Sequence, residues 1–518
     1  MKYIEPGKLF RIAGHRVLAQ IRRINQPTRF YILMKTRIQN PAAIRLIVFT
    51  WLLASVTGIA SGQPARDRPN IIFILADDLG YGDVGFNGQQ KIKTPNLDKL
   101  ANQGIRFSRF YAGTSVCAPS RSSLMSGLHT GHTYIRGNKG VEPEGQQPIA
   151  DSVVTVAELL RESGYVTAAF GKWGLGAPGS EGDPLRQGFD RFYGFNCQSL
   201  AHRYYPAHLW DDDKKVLLDS NENLKKMAVY APDLIQRKAL EFVASHDKQK
   251  PFFMFLPYIL PHAELVVPDD SLLQHYKGKF PEKPFTGNDY GPNATKGGYA
   301  SQLFPHAAFA AMVARLDMYV GQIVAALHKT GLDKNTLIIF TSDNGPHLEG
   351  GADPAFFNSG GGLRGFKRDL YEGGIRVPAL ACWPGVVKPG VSHHIGAFWD
   401  ILPTFTELAG IKKRPATDGI SLVPTLLGKG KQPVHDYLYW EFHEMGGRQA
   451  VSRGNWKAVR LQVNDPARTK IELYDLSKDQ KESDNLAEAY PEKAAELVRL
   501  MDVAHRPSVL FPFAGERK

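Results

Sequence analysis

Cysteine is scarce in this chain, with three among 518 residues: Cys117, Cys197 and Cys382. So few exclude a fold held together by a disulfide framework. Cys197 and Cys382 could pair or stand as separate buried thiols, and Cys117 is left over either way. Long apolar runs are also missing. Beyond residue 60 no unbroken apolar stretch reaches bilayer length, so no stable membrane span is expected. Excess charge is missing from most of the chain as well. The formal net charge is +12, but residues 1–60 hold ten Lys/Arg against Glu5 alone, which places nine of those charges there. The remainder is nearly balanced and lacks the basic footprint of a nucleic-acid binder. Internal repeats are absent too, which excludes solenoids and propellers.

What is present begins with a leader. Met34-Lys35-Thr36-Arg37 opens a basic region, and Arg45 precedes the apolar stretch Leu46 to Ala60. Gly58 and Ala60 supply small residues just before Ser61. Residues 34–60 therefore read as a signal peptide, and the protein is expected to be exported, either periplasmic or secreted. Residues 1–33 have no such logic and read as a non-native or misassigned leader, with Met34 as the true start.

The rest, 43% hydrophobic and 22% charged over the whole chain, reads as globular. Asn70 to Ala76 (NIIFILA) is a continuous apolar run, as expected of a parallel strand buried on both faces. Further strands are expected at 166–170, 252–256, 337–341 and 377–382. Helices are expected at 94–100, 154–161, 307–329 and 401–408. This alternation predicts an α/β fold with a doubly wound, mostly parallel sheet flanked by helices over residues 68–430. From about Pro433, short strands and a last helix at 491–505 predict a smaller α+β subdomain over 431–518. Loops are expected at 140–148 and 281–298.

The stretch Cys117-Ala118-Pro119-Ser120-Arg121 has the makings of a helix start, since Pro119 suits a first turn. Cys117 would then sit where backbone N–H groups attract an anion, with the fork of Arg121 one turn on. Taken alone, the same residues also read as a buried cysteine beside a helix-capping proline. Asp77-Asp78 and Asp343-Asn344 each follow an expected strand, and such hard oxygen donors suit Ca²⁺ or Mg²⁺ better than zinc. Ligands of doubly wound sheets bind beyond the carboxyl ends of the strands, where Lys172 and His262 are also expected.

The pattern Cys117-x-Pro119-Ser120-Arg121 resembles the signature of the type I, formylglycine-dependent sulfatases of the alkaline phosphatase superfamily. So do Gly164 to Gly176 around Lys172, Leu260-Pro261-His262, and Leu363 to Pro378 around Lys367. With Glu472 to Leu476, the resemblance covers nearly all of residues 68–490. It implies that Cys117 is converted to formylglycine by a maturation enzyme. It further implies that Asp77, Asp78, Asp343 and Asn344 bind Ca²⁺ together with residue 117. In the implied roles, Arg121 activates the nucleophile, Lys172 and Lys367 hold sulfate, and His262 protonates the leaving group. Glu372 and Arg376 would position the loop, with Arg376 as a buried ion-pair partner.

One position departs from the pattern. Where a common form has histidine, this chain has Gly174, which cannot remove a proton to regenerate the aldehyde. Either another base substitutes, with His129 and His132 as candidates, or sulfate itself leaves with solvent help. The expected substrate is a sulfated carbohydrate or other sulfate ester, with Tyr204, Tyr205 and Trp210 as aromatic candidates to face a sugar. The alternatives are a phosphodiesterase or phosphonate hydrolase of the same superfamily, or a non-catalytic binder of sulfated glycans if Cys117 stays unconverted.

Overall fold

The computed structural model describes residues 68–142, 145–222, 224–290 and 298–516. The readings of residues 1–33 as leader and 34–60 as signal peptide lie outside the described residues, as do 291–297 of the expected loop 281–298.

In chain order the main body contains β1 (Asn70–Ala76), β2 (Ile105–Tyr111), β3 (Gly140–Val141), β4 (Gly145–Gln146), β5 (Val166–Lys172) and β6 (Arg191–Phe195). It continues with β7 (His208–Asp211), β8 (Lys214–Leu217), β9 (Phe252–Pro257), β10 (Thr336–Ser342), β11 (Ala379–Cys382) and β12 (Gly390–Ala397). Ten of these form one sheet in the order β12-β2-β11-β10-β1-β9-β5-β6-β7-β8. The central run β10-β1-β9-β5-β6 is parallel, and antiparallel β11 and β7 adjoin it on either side. The mixed, mostly parallel sheet agrees with the fold class expected from sequence.

Every residue of β1 is buried, and its side chains divide between two cores. Ile72 and Ile74 join the apolar cluster that includes Ala307 to Leu327, while Ile71 and Phe73 join Phe398 and Phe405 on the opposite face. That two-sided burial is why the strand reads as a continuous apolar run rather than an alternating one. The helix Pro305–Thr330 is long and apolar enough to cross a bilayer, but most of it packs inside the first core. Cys197 and Cys382 are both buried and form no disulfide with each other, which resolves the open question of their pairing.

Several strands had no counterpart in the sequence reading. β2 (IRFSRFY) places charged residues between its aromatics, and β12 carries two histidines; both lie toward one edge of the sheet and are only partly buried. Their apolar signal is correspondingly weak.

The C-terminal part forms its own antiparallel sheet of β13 (Leu438–Phe442), β14 (Arg448–Arg453), β15 (Trp456–Leu461) and β16 (Lys470–Asp475), in that order. The helix Pro491–Ala504 packs on it through Leu497 and Met501. A buried ion triad ties this sheet to the main body. Lys457 Nζ lies 3.0 Å from Glu372 Oε1 and 2.9 Å from Glu482 Oε1, and Arg376 pairs with Glu372 at 3.6 Å. The loop-positioning role expected of Glu372 and Arg376 thus takes the form of an anchor to the second sheet.

Lys457→Met should cost about 3 kcal/mol of folding stability, because it leaves Glu482 buried without its cation and removes one of the two that face Glu372. Denaturant unfolding checks this; a variant as stable as the parent would show that the triad does not anchor the sheet.

Candidate active site

The predicted site residues converge at the carboxyl ends of the central parallel strands. Asp77 and Asp78 follow β1, Asp343 and Asn344 follow β10, and Lys172 ends β5. His262 stands five residues beyond β9. Parallel register sets β1 and β10 side by side, with Ala76 opposite Ser342, so both acidic pairs leave the sheet together. Asp78 has a left-handed backbone, φ 63°, which is uncommon for a non-glycine residue and marks a turn held by its surroundings. Its N–H donates to Asp343 Oδ1 at 3.1 Å.

Cys117 opens the helix Cys117–Ser126, as its sequence predicted, after the extended Val116. The turn is pinned to the acidic pair, because Ser120 Oγ donates to the Asp343 carbonyl at 2.6 Å. Lys367 comes from the loop before Glu372, which runs along the Asp343 turn. Its N–H donates to Pro346 O at 2.8 Å, and that of Arg368 donates to Ser115 O at 2.9 Å. Gly345 permits this approach, since a Cβ there would meet the Gly373 carbonyl at 1.9 Å.

The side chains form a closed charge network. Arg121 donates through Nε and Nη2 to Asp343 Oδ2 at 3.2 and 2.8 Å, and lies 3.7 Å from Asp77 Oδ2. Lys172 Nζ donates to Asp77 Oδ2 at 2.7 Å. Lys367 Nζ donates to Asp78 Oδ2 at 2.8 Å and contacts His262 Nε2 at 2.9 Å. Three cations thus balance three carboxylates in a region closed to solvent. Burial opposes ionisation of Asp77, but its cationic neighbours, Lys172 foremost, hold it well below the usual carboxylate range. Burial and the charge of Asp77 instead push Asp343 up to about 7.

The donor set fits a hard cation. Asp77, Asp78, Asp343 and Asn344 offer oxygens, and Asn344 Nδ2 donates to Asp78 Oδ1 at 2.6 Å. That leaves the buried Asn344 Oδ1 with no hydrogen-bond partner. An orphaned carbonyl oxygen beside carboxylates is what a Ca²⁺ or Mg²⁺ ligand would look like. Asp77, Asp78, Cys117 and His262 also bring potential ligand atoms within 4.8 Å of one another.

Cys117 Sγ contacts Asp77 Oδ1 at 3.4 Å as a thiol donor, and burial, with Asp77 adding to it, pushes its pKa well up. His262 Nδ1 is held by the Ala263 carbonyl, so Nε2 is the atom turned to Lys367 and, at 3.3 Å, to Asp78 Oδ2. Burial and then Lys367 lower the His262 pKa well below the ordinary value, which keeps the ring neutral.

Several expectations need correction. Tyr204 and Tyr205 lie in the hydrophobic core rather than facing a sugar. Tyr204 Oη instead donates to the carbonyls of Ile259 and His262 at 2.8 Å each and fixes the His262 turn. Trp210 is half-buried against the opposite core. His129 and His132 stack on each other beyond the far end of the Cys117 helix, where His132 pairs with Asp418 at 2.9 Å. Among residues the sequence reading missed, His202 stacks flat on His262 at 4.7 Å and His347 lies on it at 5.8 Å. Glu349 pairs with both Lys367 and Arg368. His347 and Glu349 follow Asn344 within five residues, and that proximity was the available signal. His202 carried none.

Comparison with known proteins agrees with this geometry. The family described as Sulfatase matches residues 69–411, and that described as N-sulphoglucosamine sulphohydrolase, C-terminal, matches residues 363–503. Arylsulfatase A of Homo sapiens is 36% identical over 478 residues, covering 84% of this chain and 86% of that protein. N-acetylgalactosamine-6-O-sulfatase of Bacteroides thetaiotaomicron is 30% identical, covering 85% of this chain and 94% of its own. The crystal structure of Ps i-CgsB in complex with k-i-k-neocarrahexaose superposes with a TM-score of 0.67 at 29% identity, covering 84% of this chain and 92% of that one.

Arg121→Met should destabilise the fold by about 3–5 kcal/mol, since it strands Asp343 in the interior. Arg121→Lys should lose less, because it keeps the charge but not the fork. Thermal and denaturant unfolding report both; a neutral Arg121→Met would mean that Asp343 is not held by this pair.

Proposed function

The chain belongs to the sulfatase family, and we propose that this sulfuric ester hydrolase cleaves sulfate monoesters of a carbohydrate through a formylglycine made from Cys117. The observation that carries this reading is the position of Cys117, at the amino end of a helix and in contact with a buried network of three carboxylates and three cations. Burial and Asp77 raise the pKa of the thiol, which makes it a poor nucleophile and supports a reading in which residue 117 is converted. Hydrated formylglycine would supply a nucleophilic hydroxyl and a second hydroxyl through which sulfate can be expelled. Cys117 is only 2% exposed, so a formylglycine-generating enzyme would have to act before the chain folds.

Asp77, Asp78, Asp343 and Asn344, with residue 117, would hold Ca²⁺. Such an ion would bring charge that lowers the pKa of a neighbouring hydroxyl and attracts a sulfuryl oxygen. The remaining work falls to the chain's own side chains. Lys172 and Lys367 would attract an anionic ester, and their positive charges are already fixed in place, so binding would require little reorganisation. The guanidinium of Arg121 keeps Asp343 oriented and contributes charge at the base of the site. A proton for the departing alkoxide is held between Lys367 Nζ and His262 Nε2. In this reading the pair carries the proton that the resemblance assigns to His262, and Nδ1 on the Ala263 carbonyl holds the ring orientation.

The same clamp would accept phosphate or phosphonate esters, but the curated relatives described above are named as sulfatases. A carbohydrate substrate is supported by the sugar in the name of the Bacteroides relative and by the oligosaccharide in the Ps i-CgsB complex. Export to the periplasm or exterior belongs to the same reading and rests on the pattern of residues 34–60.

Cys117→Ala should abolish sulfate release from an aryl sulfate. Cys117→Ser should stall with sulfate retained on that side chain, visible by intact-mass spectrometry, because serine has no second hydroxyl. Full turnover by either variant would sink the formylglycine reading. Chelation of Ca²⁺ should lower both activity and melting temperature, with recovery on adding the ion back. Asn344→Leu should weaken that response at least tenfold in ion concentration; indifference of the parent to chelation would remove the cation from the account.

A further inference from the structure

Gly174, two residues beyond Lys172, has a left-handed backbone with φ +75°. A Cβ at this position would lie 2.3 Å from Gln198 Nε2 and 3.8 Å from Arg121 Cδ. The space that a side chain at 174 would use is therefore held by Gln198. This residue reaches it from the segment after β6, whose Phe195 pairs with Lys172, and the Gly174 N–H donates to the Asn196 carbonyl at 3.2 Å.

Asn196 is fully buried and Gln198 is 7% exposed. In both side chains the amide nitrogen and the amide oxygen lack any hydrogen-bond partner. Buried amides are rarely left so, because the unmade bonds cost the full desolvation of each group. Here four orphaned polar atoms lie on two side chains two positions apart, with Gln198 set beside Gly174 and Arg121 and the Asn196 backbone bonded to Gly174. A carboxamide donates and accepts at once and titrates at neither atom. An anion, which only accepts, would leave both carbonyl oxygens unpaired. A hydroxyl group satisfies donors and acceptors together.

We propose that Asn196 and Gln198 form a neutral hydrogen-bonding subsite beside Arg121 for a hydroxyl of the sugar that carries the sulfate ester. The inference rests on the carbohydrate reading above and adds to it the residues that would recognise the sugar. It also accounts for Gly174: any larger residue there would displace Gln198 from the subsite.

The test compares steady-state kinetics on sulfated monosaccharides with those on nitrophenyl sulfate, whose leaving group has no hydroxyl. In Gln198→Leu the ratio of kcat/KM for sugar over aryl substrate should fall about 10–100-fold, mostly through KM. Should that variant fail to fold, Gln198→Met and Asn196→Leu carry the same comparison, since they keep the approximate shape and remove the amide without adding charge; each should lower the ratio by about tenfold. An unchanged ratio, whether both activities stay or both fall together, overturns the subsite and leaves the amides a structural role, satisfied by water. If the parent releases sulfate from nitrophenyl sulfate and from no sulfated sugar, the carbohydrate reading fails first and the subsite falls with it.

Discussion

Asp77, Asp78 and Asp343 leave adjacent strands within a solvent-excluded pocket, and their pairing with Arg121, Lys172 and Lys367 is the constraint on which the rest of the structure depends. Moving a charge from water into a protein interior costs several kcal/mol even after relaxation, and only close, well-directed partners offset it. The six side chains come from five separate parts of the chain: the Cys117 helix, the end of β5, the loop before Glu372, the turn after β1 and the turn after β10. Each must be in place for the others to be tolerable. The network therefore fixes the register of the site more firmly than any one contact could.

The same network explains why a cysteine occupies the amino end of the helix without behaving as a reactive thiol. Burial and the Asp77 carboxylate favour its protonated form, although the helix end and two lysines favour an anion nearby. The surroundings suit a developing negative charge on a substrate, not one on sulfur. Lys367 adds a further layer, because it joins the Asp78 carboxylate to His262 and so couples the charge balance at the base to the proton at the leaving-group side.

How much of this was legible in the sequence depended on the kind of signal. Strands β1, β9 and β10 stood out because burial on both faces turns them into unbroken apolar runs. The acidic pairs stood out because they end those runs. β2 and β12 did not, since strands toward the sheet edge carry charged or polar residues that blur the period. Side-chain direction was the least legible feature. Tyr204 has the composition of a sugar-facing aromatic but supports the His262 turn from within the core. His202 stacks on His262 through a segment with no periodic pattern, and the filling of the Gly174 position by Gln198 depends on an approach between two chain segments that composition cannot report.

The central claim is that residue 117 acts only after conversion, and mass spectrometry of the peptide spanning Cys117 tests it most directly. Protein produced with a formylglycine-generating enzyme should show loss of the sulfur and the mass of an aldehyde or its hydrate, in proportion to its specific activity on an aryl sulfate. A fully active preparation whose peptide retains an intact thiol would contradict the account.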